Sequence, residues 1–103
     1  MKGFGDLQKM LKTAKEMQDK MQKELAELRI EGGSGGGMVT VIVDGQKNLI
    51  SLRIDPEVVN KEDIEMLQDL ILAAFNDASA KVDEHLSQKL GSLGAGLKIP
   101  GLF

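Results

Sequence analysis

The sequence predicts an α+β subunit of order α-β-β-β-α. In it a long first helix projects from the body, and the last helix covers a three-stranded antiparallel meander sheet. Three observations carry that expectation. From residue 62 onward, Ile64, Leu67, Ile71, Ala74, Ala78 and Val82 recur three or four apart, so one side of a helix is continuously apolar. Met66, Leu70 and Phe75 widen that side to the breadth a helix needs when it roofs a sheet. Just before it, Met38–Val43 and Leu49–Ile54 read as short strands, and at the start of the chain Leu7–Leu28 repeats with a heptad-like period.

The totals fit one domain spanning residues 1–103, with flexible ends at about 1–5 and 91–103. A content of 42% hydrophobic and 28% charged residues is that of a globular chain. Phe4, Phe75 and Phe103 are its only aromatics, so the core must be built of Leu, Ile, Val, Ala and Met. The lack of cysteine rules out disulfides and thiolate chemistry and suits a reducing interior. Asp6, Gln8 and Lys9 break any apolar run at the start, and no stretch approaches the roughly 18 apolar residues of a membrane span. A soluble, cytoplasmic protein without a membrane partner is expected.

Charge is unevenly placed. The net value is −3, but residues 1–29 hold seven basic and five acidic side chains, and the remainder six and eleven. Asp6 reads as the N-cap of the first helix. Leu7, Ala14, Met21 and Leu28 form one apolar line and Leu11, Gln18 and Leu25 another, flanked by Met10 and Met17. A helix of about 23 residues is roughly 35 Å long. A compact domain of this size has a radius of gyration of only about 13 Å, so the helix should reach past its own core. Gln18 weakens a dry coiled-coil seam, which favours packing on the domain along part of the helix. The other side mixes Lys9, Lys12, Lys15, Lys20 and Lys23 with Glu16, Asp19, Glu24 and Glu27. Such a face is ordinarily a solvated, salt-bridged surface. Here four lysines and one acid gather between Lys2 and Lys15, at the end where the helix dipole favours acids instead. That placement points to an anionic partner.

The strands follow. Leu28–Glu31 alternates, and Gly32–Gly37, with five glycines in six residues, reads as a hairpin connection. A phosphate-binding loop would need a following Lys-Ser/Thr and a helix, and neither is present. Asp44-Gly45 marks a turn. Val39, Val41 and Val43 line one face of the middle strand, and Ile50, Leu52 and Ile54 one face of the next. Met38, Ile42 and Leu49 fall on the opposite faces, so the sheet reads as fairly apolar on both sides. One helix cannot cover such a sheet, its edges are open, and a two-fold homodimer is the expected remedy. Asp55-Pro56 opens a short turn through Val59. Asn60 is the expected cap of the last helix, with Glu62, Asp63 and Glu65 in its first turn and an end near Leu90. The apolar side chains of the Gly-rich tail, Leu97, Ile99, Leu102 and Phe103, could dock on a surface.

Little here is suited to catalysis. His85, the one histidine, reads as a surface residue, and Ser34, Ser51, Ser79, Ser87 and Ser92 lack the base and orienter that activate a nucleophile. The acids of residues 62–65 lack His or Cys companions and read as helix stabilisers. No enzyme activity, cofactor, metal or small-molecule substrate is expected. For nucleic acid, aromatic stacking and major-groove reading are poorly served, since Arg29 and Arg53 are the only arginines. What remains is phosphate contact by lysines, which would be weakly specific and strongly salt-dependent.

Glu65–Ala78 (EMLQDLILAAFNDA), preceded by Ile54-Asp55-Pro56, resembles the signature of the YbaB/EbfC family of nucleoid-associated proteins. So do Gly32–Gly45 (GGSGGGMVTVIVDG), the Met/Gln/Lys-rich opening helix and the ending GLKIPGLF. The resemblance covers nearly the whole chain. It implies a tight homodimer whose long helices project as the arms of a tweezer, binding double-stranded DNA in the bacterial nucleoid, with roles in nucleoid organisation or gene regulation and no enzymatic activity. Placed on this chain by position and charge, the implied DNA contacts are Lys2, Lys9, Lys12 and Lys15 on the first helix. Lys81, Lys89 and Lys98 are their counterparts toward the end of the last. The competing expectation is a protein-interaction module that uses the Met-lined first helix and the apolar tail.

Overall fold

Alternate valines set the middle of the molecule. In the computed structural model, which describes residues 2–97, Val39, Val41 and Val43 are almost wholly buried on one face of a central strand. The order is α1 (Lys2–Glu27), β1 (Ile30–Ser34), β2 (Val39–Val43), β3 (Leu49–Ile54) and α2 (Ile64–Leu97), with single 3-10 turns at Gly35–Gly37 and Pro56–Val58. The sheet is an antiparallel meander, β1-β2-β3. Ala74, Ala78 and Val82 of α2, with Val58, complete the core beside the three valines.

α2 sits closely on β1 and β2 because small residues meet there. Gly32 pairs with Val41 and faces the helix, and a Cβ on it would lie 2.6 Å from the Ala74 carbonyl oxygen. Gly32 and Gly33 therefore belong to β1, which ends at Ser34, three residues further than the alternation in Leu28–Glu31 predicts. Only Gly35–Gly37 turn the chain, and all three have positive φ (60°, 68° and 95°), a conformation that glycine adopts without penalty.

Two expectations about the sheet change. β3 stays exposed along its length, save half-buried Ile54, because α2 lies over its neighbours. The far side of the sheet is also more polar than expected. Met38 packs into the core, and a bulge between Ile42 and Val43 brings Leu49 opposite Val43, onto the valine face. Ile42 is left among Glu31, Gly33, Thr40, Ser51 and Arg53. The uncovered apolar surface is thus a ledge on β3 beside α2, not a second sheet face.

The helix ends also differ from the expectation. α1 begins at Lys2, not after Asp6, so residues 2–5 are helical and Asp6 lies inside the helix. For α2 the N-cap is Asp63, whose Oδ1 accepts from the Met66 amide at 3.1 Å. Asn60 caps the preceding turn by accepting from the Glu62 amide at 2.9 Å. α2 runs through Leu97, past the end expected near Leu90, so residues 91–97 are helical. The tail from Lys98 to Phe103 lies outside the described residues. The Asp55-Pro56 turn forms as its sequence predicts, with Asp55 accepting from the Glu57 amide. The two long helices stretch the molecule to 73 × 26 × 17 Å with a radius of gyration of 20.3 Å, well above the roughly 13 Å of a compact domain this size.

Candidate nucleic-acid interface

α1 stands away from the body. Every described side chain from Gly3 to Glu24 is exposed, and only Leu25 and Leu28 are half-buried. Its root is held by the turn after β2, where the Gly45 amide donates to the Leu25 carbonyl at 2.8 Å. That turn is built by Asp44, which is buried and accepts from the Gln46 amide (2.8 Å), the Asn48 amide (2.9 Å) and Asn48 Nδ2 (3.0 Å). The Asn48 amide bond is the main reason the Asp44 carboxyl sits below its ordinary value. Arg29 closes the helix end by donating from Nη1 to the Ala26 and Leu28 carbonyls. This use explains why one of the two arginines is turned toward the backbone.

On the free part of α1 the residue types separate by face. Phe4, Leu7, Leu11, Ala14 and Met21 recur on one side, Lys9 and Lys12 lie on the other, and Lys15 flanks the apolar line one turn after Leu11. No acid falls between Lys9 and Lys15, and among the described residues none of these three lysines enters a salt bridge. They span about 9 Å of helix. Lys2 begins the same helix, whose first turn contains no acid, so the dipole adds to the positive field at that end.

Toward the end of α2 the lysines are engaged differently. Lys89 pairs with Glu24 of α1 at 3.1 Å, linking the two helices near the root of the arm. Lys81 pairs with Asp77 at 3.1 Å and reaches the Glu31 carbonyl at 3.4 Å. Lys98 lies outside the described residues. Lys47, which the sequence does not single out, pairs with Asp83 at 2.9 Å from a left-handed backbone (φ 65°). All these partners are distant in sequence except Asp77, so spacing alone signals only that one pair.

Two hollows flank this arrangement. Between α1 and α2 an apolar cavity of about 220 Å³ is lined by Met21, Leu25, Leu28, Leu86 and Leu90, with exposed His85 on its rim. At the opposite end of α2, Asp63, Glu65 and Asp69 surround Met66 and Leu70. Acids thus collect at the start of α2 and unpaired lysines along the free arm. A polyanion meets repulsion at the first and attraction at the second.

Residues 2–97 match the YbaB/EbfC DNA-binding family. The chain belongs to that family. It is a family of DNA-binding proteins and not of enzymes. Among its relatives, a nucleoid-associated protein of Bacillus licheniformis is 55% identical over 104 residues, covering 98% of this chain and 97% of the relative. A nucleoid-associated protein of Geobacillus sp. is 54% identical over 104 residues, covering 98% and 96%. The crystal structure of an uncharacterized protein from Helicobacter pylori superposes with a TM-score of 0.71 at 28% identity, covering 87% of this chain and 95% of that one. The α-β-β-β-α order of this YbaB/EbfC chain is therefore that of a solved structure over nearly its whole length. No described helix is long and apolar enough to cross a membrane.

Proposed function

We propose that this YbaB/EbfC chain binds double-stranded DNA as a homodimer, through phosphate contacts with little sequence preference, and serves nucleoid organisation and gene regulation in the bacterial cytoplasm. The observation that carries the reading is the acid-free, unpaired run Lys9, Lys12 and Lys15 on an arm that stands clear of the body. Lys2, at the start of the same helix, is assigned to the same contact by position and charge. Lysines held in place without partners neutralise phosphates at little cost, and the counterions that the DNA releases drive the association. Base reading has no comparable support, because Arg29 is spent on the helix end.

The homodimer is supported by β3. Leu49, Ile50 and Leu52 are 50%, 46% and 42% exposed on an edge strand, which is a surface that a second copy covers. Pairing two copies brings two arms into one particle and doubles the number of lysines available to a single duplex.

Fluorescence anisotropy of a labelled duplex at 50 and 200 mM salt tests the DNA reading. Three phosphate contacts give a loss of about 40-fold over that range, and six give far more. The Lys9/Lys12/Lys15→Glu variant should lose binding. No binding by the wild type even at low salt would remove the DNA role.

A role in holding another protein has one observation in its favour, the exposure of Phe4, Leu7, Met10, Leu11, Met17 and Met21 along α1. It predicts binding that is indifferent to salt and to the lysine substitutions, so the same titrations separate the two.

A further inference from the structure

The two edges of the sheet are treated unequally. In the β1–β2 ladder, backbone groups alternate between facing β2 and facing outward. Glu31 and Gly33 are the outward-facing residues of β1, since the Gly33 amide donates to Asp77 Oδ2 at 3.0 Å rather than to β2. Lys81 donates to the outward Glu31 carbonyl at 3.4 Å and pairs with Asp77 at 3.1 Å. One turn-spaced pair on α2 thus occupies both an amide and a carbonyl of this edge. Beside it, the Ser34 hydroxyl donates to the Leu70 carbonyl at 2.5 Å, which fastens the end of β1 to the same helix. At β3 the situation is reversed. Among the described residues, no turn, cap or side-chain hydrogen bond reaches the backbone of Ile50 or Leu52.

We propose that Asp77 and Lys81 guard the β1 edge, so that the sheet offers one self-pairing edge, β3, and assembly closes at two copies. A two-fold contact between β3 strands uses both open edges at once. The joined sheet then ends at a guarded β1 on each side, and no edge remains for a third copy. Without the guard, each dimer would present two free β1 edges and could add further copies end to end. The proposal rests on the homodimer reading above. It also assigns Lys81 to assembly rather than to DNA.

The test is the mass of the full-length chain, measured by light scattering over a wide concentration range, with circular dichroism to establish that each variant is folded. The wild type should hold the mass of two copies throughout. The Asp77→Ala/Lys81→Ala variant should at least double that mass as concentration rises, and Lys81→Ala alone should do so to a lesser degree. Leu52→Pro removes an outward amide that the sheet does not use, which an edge strand tolerates. Added to the unguarded variant, it should return the particle to two copies, now joined through β1. Leu52→Lys is the second variant if the proline fails to fold. A folded Asp77→Ala/Lys81→Ala protein with wild-type mass at every concentration would overturn the guard. Wild-type mass that stays at two copies after Leu52→Pro would instead overturn β3 as the dimer edge, and the unguarded variant would still report on β1.

Discussion

Gly32 lies so close to Ala78 that a Cβ placed on the glycine would come within 2.6 Å of the alanine Cβ. Three small residues, Gly32, Ala74 and Ala78, allow α2 to sit close to β1, and from that seat Asp77 reaches the strand edge. Gly32→Ala must push helix and strand apart. A loss of stability at or above the upper end of about 1–3 kcal/mol is expected from the urea midpoint. Gly33→Ala, whose Cβ would meet only the Val39 carbonyl at 3.4 Å, should cost much less.

The arm is aimed by a second close approach. A Cβ on Gly45 would lie 2.7 Å from Leu25 Cδ2 and 2.9 Å from the Leu25 carbonyl, against which the Gly45 amide is hydrogen-bonded. Gly45→Ala should break that bond and loosen α1 from the body, while the sheet remains. Hydrogen exchange at the last turn of α1 should accelerate, and small-angle scattering should show a broader distribution of particle lengths. Unchanged exchange there would mean that the turn does not hold the arm.

The carboxyls of Asp44 and Asp77 both sit below the ordinary aspartate value of 3.8. The leading causes are the amides of Asn48 and Gly33, respectively, that donate to them. The folded chain therefore binds fewer protons than the unfolded one in mild acid. The stability these groups add is complete above about pH 3.8 and is lost as pH falls from there through the lower folded values. In urea unfolding, Asp44→Asn should be less stable than wild type at neutral pH, and the gap should narrow below pH 3.8. A gap that stays constant into acid would show that the charge of Asp44 is not what the turn uses.

Individual lysines should separate in a salt titration of DNA binding. Replacing Lys9, Lys12 or Lys15 by Ala should weaken binding to all duplexes alike. Each replacement should also reduce the slope of log affinity against log salt by about 0.9, because one phosphate fewer is neutralised. Lys81→Ala should leave the slope unchanged, because that ammonium is committed to Asp77 and Glu31. Lys89→Ala releases Glu24 beside the arm, so its affinity should drop modestly with the slope nearly intact.

Periodicity by itself determined the order of elements, the identity of the valine core and that α1 outruns its domain, and the Asp55-Pro56 dipeptide determined its own turn. Each is set by residues within a single segment. The resemblance carried by Glu65–Ala78 pointed to the family that the whole chain matches. Only the tertiary structure decided that Gly32 and Gly33 belong to a strand, because a glycine needed for close helix packing looks in sequence like a glycine needed for a turn. Asp63 prevailed over Asn60 as the cap of α2 because a local turn at residues 60–63 uses Asn60 first. The state of each lysine was equally beyond local reading. Lys89 finds its acid 65 residues away in Glu24, and Lys47 finds Asp83, so charge along the chain could not tell a committed cation from a free one. Local physics follows neighbours in sequence, whereas ion pairs and guarded edges depend on segments that meet only when the sheet and its helix have closed.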